Sequence, residues 1–353
     1  MVLPLLGLAY IGWHLWVLVP LPACWRGGMV GMMVGSFLLL FLNLGHVIDR
    51  MPLALARVVY NVGNSSIFIL LYLALFFLCL DLGRLLRLVP RDWLFHNYYT
   101  TSALAIALFV VFLCGNAHYY NKERKELSLL SSKPLARPLK LVLLSDLHLG
   151  YHNPRKELSR WVDLINDEHP DLVLVAGDVI DMSMRPLLEE NMAEEMRRIE
   201  APVYACLGNH EYYSNEPRAE QFFRDAGVRL LRDTTVVVGD LSITGRDDRT
   251  NSHRRSLNVL ARQVDHTKFT ILLDHQPYHL EQAERCGFDF QFSGHTHDGQ
   301  VWPISWITRS LYECASGPYQ RGNTSYYVSS GMGIWGGKYR IGTHSEYIVA
   351  TVR

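Results

Sequence analysis

The chain has 353 residues, and 34 Lys and Arg balance 34 Asp and Glu, so its formal net charge at pH 7 is zero. That balance argues against nucleic acid as a partner, which demands a basic footprint, and 49% apolar residues exclude a disordered chain. The average conceals a boundary: residues 1–121 contain six Arg, three Asp and neither Lys nor Glu, and the other 59 charged residues lie beyond them.

Four uncharged stretches come first, at roughly 1–25, 27–48, 58–80 and 93–121. Each reaches the ~20 apolar residues needed to cross a bilayer, which predicts about four transmembrane helices. No basic residue precedes the first apolar run, and Pro22 interrupts Leu21-Pro22-Ala23-Cys24, so this segment reads as a retained helix and not a cleaved signal. Trp13, Trp16, Trp25, Tyr60, Trp93, Tyr98 and Tyr99 cluster towards segment ends, as an interfacial aromatic belt does. With the amino terminus inside, the inner side carries Arg50, Arg57, Lys122, Arg124, Lys125, Lys133, Arg137 and Lys140. The outer side carries Arg26, Arg84, Arg87 and Arg91, and this excess of basic residues places the charged half of the chain in the cytoplasm. Asn43, His46, Asn61, Asn64, Ser65 and Ser66 are expected to hydrogen-bond between helices, with a polar pathway as the alternative. Cys24, Cys79, Cys114, Cys206, Cys286 and Cys314 lack any two-residue spacing and read as reduced, apolar side chains.

Residues 122–138 read as a charged linker and 139–353 as one α/β domain. Strands are predicted at 139–144, 172–176, 203–207, 269–273, 288–292, 326–329 and 347–352, with a hairpin formed by 234–239 and 241–245. Helices are predicted at about 154–168, 186–199 and 216–226. The excess of strands towards the end suggests two sheets packed face to face with helices outside.

Five stretches, each placed after an apolar strand-like run, supply metal-ligand side chains: Asp146-Leu147-His148; Gly177-Asp178-Val179-Ile180-Asp181; Gly208-Asn209-His210-Glu211; Asp274-His275-Gln276-Pro277; and Gly294-His295-Thr296-His297. Residues two apart in a strand-like segment point the same way, so Asp146 and His148 can converge on one ion. Asp178, Asn209 and His275 would each, alone, be an ordinary turn or strand-end residue, and the reading rests on their joint occurrence. Carboxylates, an amide and imidazoles without thiolates suit Mn²⁺, Fe or Zn²⁺. A carboxylate between two such ions can bridge them, and paired ions stabilise the attacking and leaving oxygens of a phosphoryl displacement.

These five stretches in this order resemble the calcineurin-like metallophosphoesterase superfamily. The closing motifs Gly294-His295-Thr296-His297-Asp298-Gly299-Gln300 and Ser329-Ser330-Gly331-Met332-Gly333-Ile334-Trp335-Gly336 resemble its membrane-anchored bacterial branch, the YkuE and YaeI type. The resemblance implies a four-layer αββα sandwich over residues 139–353 behind the transmembrane bundle, in a multi-pass protein of the bacterial inner membrane. It also implies two divalent ions: Asp146, His148, Asp178 and His297 would hold the first; Asp178, Asn209, His275 and His295 the second. Asp178 would bridge, a metal-bridging hydroxide would attack, and His210 would stabilise charge on the phosphate or protonate the leaving oxygen.

Asp181 and Glu211 would orient a ligand imidazole or simply hydrogen-bond at the surface. Trp302, Trp306, Trp335, Tyr319 and Tyr339 are read as packing the second sheet, with a lipid-facing mouth as the alternative. The expected activity is hydrolysis of a phosphodiester or pyrophosphate, with a phospholipid or nucleotide-linked lipid as candidate substrate. Alternatives are an enzyme of the UDP-2,3-diacylglucosamine pyrophosphatase kind, or a non-catalytic membrane sensor or scaffold.

Overall fold

The computed structural model describes residues 2–214 and 216–353. The chain divides into two compact units, one formed by residues up to Asn116 with Gly336–Lys338, the other by Ala117–Trp335 with Tyr339–Arg353.

The first unit is helical: α1 (Val2–Leu18), α2 (Ala23–Leu44), α3 (Leu53–Leu85) and α4 (Tyr98–Tyr120). Only α2, α3 and α4 among the described residues are long and apolar enough to cross a membrane; α1, at 17 residues, is shorter. Where about four transmembrane helices were expected there are three candidate spans and one short apolar helix, which supports a membrane protein. Pro20 and Pro22 set the first break, because proline lacks an N–H and disfavours helical backbone before it. Arg26, expected between helices, lies inside α2. Ile11, Leu15, Leu18, Leu73, Phe77 and Leu104 form the apolar centre of this unit.

Three of the residues expected to bond between helices bond within their own. Asn61, Asn64 and Ser66 bond to carbonyls of their own helix, at Arg57, Tyr60 and Gly63. Side chains that do bond between helices include Tyr10 and His14, which meet Asp81 at 2.8 and 3.0 Å, and Arg26, whose Nη1 donates to the Trp16 carbonyl at 2.7 Å. Asp81 escaped notice because α3 continues beyond its apolar stretch.

The second unit contains, in order, β1 (Lys122–Leu129), β2 (Leu139–Leu144), α5 (Arg155–Asp167), β3 (Leu172–Ala176), α6 (Arg185–Glu189), α7 (Met192–Met196), β4 (Val203–Cys206), α8 (Asn209–Tyr213), α9 (Glu216–Asp225) and β5 (Arg229–Leu230). Then come β6 (Thr234–Val238), β7 (Leu241–Gly245), α10 (Leu257–Leu260), β8 (Phe269–Leu273), α11 (Glu281–Arg285), β9 (Phe290–Ser293), α12 (Ile304–Leu311), β10 (Gly317–Arg321), β11 (Thr324–Val328) and β12 (Ser345–Val352). One sheet runs β1-β12-β2-β3-β4-β5 and the other β10-β11-β9-β8-β7-β6.

Side-chain alternation builds the layers. In β2, Leu141 and Leu143 join Leu174, Ile271 and Phe290 between the sheets, while Val142 and Leu144 face Trp161, Ile165 and Phe223 beneath the helices. Across the second sheet Leu272 packs outward with Leu260 and Ala283. This is the four-layer αββα sandwich. Strands buried on both faces account for the continuous apolar runs in the sequence.

Two predicted boundaries need correction. Residues 122–129, expected within the linker, form β1, which pairs in parallel with Ser345–Val352 along its whole length. Its alternating charges are those of an edge strand, exposed at Arg124, Glu126 and Ser128. The helix expected at 186–199 is split into α6 and α7 by Asn191, which takes left-handed backbone at φ 50°.

Candidate metal centre

Parallel strands deliver their carboxyl ends to one edge of a sheet, and β2, β3 and β4 are mutually parallel in one sheet as β8 and β9 are in the other. The loops leaving these five strands are the five ligand stretches. Their backbone is not strand-like, as the Asp-x-His argument assumed. Asp146, His148, Asp178, His295 and His297 all have positive φ, between 44° and 71°. Asp and His tolerate this left-handed region better than most residues, and such strain persists only where the surroundings impose it.

Those surroundings are visible. The His295 N–H donates to both oxygens of Asp146 at 3.0 and 3.1 Å, and the His210 N–H donates to Asp178 Oδ1 at 2.9 Å. The loops approach so closely that a Cβ on Gly208 would collide with Asp178, and one on Gly294 with Asp146. Glycine is dictated at both places.

Seven predicted ligands gather in two groups. In the first, His148 Nε2 and His297 Nε2 lie 3.1 Å apart, and Asp146 Oδ1 is 3.9 and 3.5 Å from them. In the second, His275 Nε2 is 3.1 Å from Asp178 Oδ2, and Asn209 Oδ1 is 2.9 Å from His295 Nδ1. Asp178 Oδ2 is also 3.7 Å from His148 Nε2, so one carboxylate oxygen stands between the groups.

The donor chemistry fits cations. His148 Nδ1 lies 3.1 Å from Asp181 Oδ1, and His275 Nδ1 lies 2.7 Å from the Ala176 carbonyl. Both oxygens only accept, so each ring carries its proton on Nδ1 and turns a bare Nε2 lone pair inwards. His275 Nε2 is buried without a hydrogen-bond partner: Asp178 is near it, yet not aligned for a hydrogen bond. A cation facing both atoms would satisfy them.

Charge points the same way. Burial lifts the Asp146 carboxyl above its ordinary pKa, against the pull of His275. Asp178 is driven well below its own despite burial, chiefly by His275 and His210. Burial opposes protonation of His275, but Asp178 and Asp146 outweigh it and raise its pKa well above the usual histidine value, so that with no cation beside it Nε2 takes up a proton in the cation's place. The cluster therefore favours positive charge at its centre. His295, held at about 4 by burial and by His275, and His297, held well down by burial and by His148, are neutral at pH 7, as ligands must be.

His210 sits at the rim, its ring 4.5 Å from that of His148 and its Nδ1 3.4 Å from Asp181 Oδ1. Burial disfavours its charge, yet Asp178 and Asp181 bring its pKa up to about 9. Asp181 thus faces two imidazoles. Glu211, fully buried, accepts the N–H groups of Gly208 at 2.7 Å, Ile180 at 3.0 Å and Asp178 at 3.1 Å, so it ties two ligand loops together. Neither residue is a surface group.

Arg340 and Asn153 went unnoticed in the sequence. Arg340 is fully buried and donates to the carbonyls of His297 at 2.8 Å, Ser330 at 2.5 Å and Gly333 at 3.1 Å. Burial lowers its pKa to about 10, so it remains charged at neutral pH. Asn153 donates to the carbonyls of Leu147 and His148 at 3.1 and 3.0 Å, while Tyr119 donates to Asn153 Oδ1 at 2.6 Å. Tyr119 lies in the last turn of α4 and Arg340 beyond the last motif, where no local pattern marks either.

Residues 139–299 match the family described as calcineurin-like phosphoesterase. A Campylobacter jejuni protein named as an uncharacterized metallophosphoesterase is 28% identical over 71% of this chain and 69% of its own length. A zebrafish (Danio rerio) protein named as a transmembrane protein with metallophosphoesterase domain is 30% identical over 59% of this chain but only 52% of its own. Among solved structures, the NAD nucleotidase of Haemophilus influenzae aligns with a TM-score of 0.39 at 15% identity, covering 57% of this chain and 46% of that one. Residues 139–299 are thus similar to a calcineurin-like phosphoesterase domain, and within and beside them the clusters Asp146, His148, His297 and Asp178, His275, His295 could each hold a metal ion.

Proposed function

We propose that the protein is a membrane-anchored dinuclear-metal phosphohydrolase that cleaves a phosphodiester or pyrophosphate. The observation that carries this reading is the position of Asp178 Oδ2 between two groups of inward-facing donors. Asp146, His148, His297 and Asp178 would hold one ion, and Asp178, Asn209, His275 and His295 the other. Bound there, two divalent cations would acidify water and stabilise the oxygens on either side of the phosphorus.

The chain's own residues supply the rest. Asp181 and the Ala176 carbonyl fix the ring protons of His148 and His275, so both imidazoles keep their lone pairs inwards without rearrangement. His210, at the rim and inclined to be cationic, is placed to meet a phosphate oxygen and to hand its proton to the departing oxygen. Glu211 and Arg340 hold the loops in the left-handed backbone that this arrangement requires.

The three membrane-spanning helices make a lipid-linked phosphoester a favoured substrate class, since anchorage raises encounter with molecules in the same bilayer. Basic residues favour a cytoplasmic catalytic domain in an inner membrane. Failure of α1 to span moves only the amino terminus and leaves that count unchanged. A non-catalytic scaffold is disfavoured, because all seven ligand residues are present and assembled.

The test is metal content beside activity. Full-length protein in detergent should bind close to two Mn²⁺ per chain and hydrolyse bis(p-nitrophenyl) phosphate only when loaded, and Asp178→Asn should lose both properties. Full activity in that variant, or saturation at one ion, would refute the dinuclear assignment.

A further inference from the structure

Helix α12 (Ile304–Leu311) faces the wrong way for a globular domain. A surface helix normally turns its apolar stripe to the core and its polar residues to water. Here Ile304, Ile307 and Leu311, spaced to share one side, leave Ile307 58% and Leu311 71% exposed, while the only fully buried residue of the helix is Ser305. On the side of Ser305 the helix is pinned by charge: the Arg309 side chain, itself half-exposed, donates through Nε and Nη2 to the two oxygens of buried Asp298 at 2.9 and 2.7 Å. Beside the stripe stand Trp306, 63% exposed, and Trp302, 40% exposed, their rings edge to face at 5.4 Å. These tryptophans do not pack the second sheet, as the sequence suggested.

We propose that α12 is an interfacial helix whose apolar stripe, with Trp302 and Trp306, enters the headgroup layer of the bilayer that this chain spans. Three features favour a bilayer over a protein partner. The chain carries three helices able to cross one. In sequence a single residue, Asn121, separates the end of α4 from the start of β1. Exposed tryptophans beside a short aliphatic stripe have the composition of a headgroup-level contact.

The consequence reaches the metal centre. Asp298 adjoins His297, so the Arg309–Asp298 pair fastens the membrane-seated helix to a ligand loop. Seating α12 would set the metal centre at the bilayer surface, where a lipid phosphate emerges. This last step rests on the phosphohydrolase reading, whereas membrane contact does not.

The experiment uses the full chain in phosphatidylcholine nanodiscs with brominated acyl chains. Subtracting the spectrum of Trp306→Phe from that of the wild type isolates the Trp306 emission. Bromine should quench it by more than half, and aqueous iodide should leave it nearly unchanged. Iodide quenching without bromine quenching would place Trp306 in water, and protection from both would point to a protein cover; either result overturns the proposal. A second readout compares substrates. Ile307→Gln with Leu311→Gln should slow cleavage of a vesicle-embedded fluorogenic phosphodiester at least tenfold and leave bis(p-nitrophenyl) phosphate turnover within twofold. Equal loss on both substrates would mark α12 as merely structural and refute its docking role. A wild type inactive on both substrates would refute the phosphohydrolase reading and leave the quenching result intact.

Discussion

The two halves of the metal centre are built differently. Around the first group Asp146 and His148 are completely buried and His297 is 4% exposed, and Asp181, Asn153 and Arg340 hold their loops from behind. Around the second, His275 and the shared Asp178 are as deeply enclosed, but Asn209, at the start of the short helix α8, is 6% exposed and His295 only half-buried. A ligand set braced on all sides holds its ion tightly, and one with an open flank exchanges ions and admits substrate. The difference suggests that one ion is a fixture and that the other faces the reaction.

The largest effect should come from the residue the halves share. Asp178→Asn is expected to reduce kcat by about a thousandfold or more and to bring bound metal below one ion per chain, read by elemental analysis beside turnover. Breaking either half alone should separate them. His148→Ala should lose activity that no excess of metal restores, whereas His295→Ala should recover part of its rate as Mn²⁺ is raised; identical behaviour would erase the distinction. Removing a brace should cost less: Asp181→Asn is expected to weaken metal binding or activity about 10- to 100-fold, measured by titration against a competing chelator.

Away from the centre the effects become ones of stability. Asp247 is buried, and its carboxylate receives hydrogen bonds from Tyr212 at 2.6 Å, Arg232 at 2.8 Å and Asn251 at 2.8 Å. Burial works against ionisation, but these donors hold its pKa below the ordinary value. The stabilisation is therefore fully present above about pH 4, the pKa of an unfolded aspartate, and is lost as pH falls through the lower folded value. Asp247→Ala should cost about 3 kcal/mol near neutrality and flatten the acid side of a plot of Tm against pH. An unchanged acid limb would show that Asp247 is not what titrates there.

The ligands were legible because each is adjacent in sequence to the strand that presents it. Leu139–Leu144 announces Asp146 and His148, and Leu172–Ala176 announces Asp178. Even so, the convergence of Asp146 and His148 was inferred from strand geometry and is produced by left-handed backbone. The braces were illegible for a physical reason. Arg340 bonds to main-chain carbonyls, which every residue possesses, and Tyr119 meets Asn153 only after folding. β1 was concealed by its charges, which a sheet tolerates at an edge and a linker shows equally well. The outward stripe of α12 stood in the sequence as Ile304, Ile307 and Leu311, but spacing alone does not say which way a stripe faces.

The order of the first sheet also governs timing. β12 lies between β1 and β2, so β1, which comes almost directly after α4, waits for a neighbour encoded at the far end of the domain. At bacterial elongation rates of about 20 residues per second, falling to about 5 in slower systems, that wait lasts roughly ten to forty seconds. During it the membrane helices can already be inserted while a strand edge beside them stays open. A chaperone acting on the nascent chain would have its work in that interval.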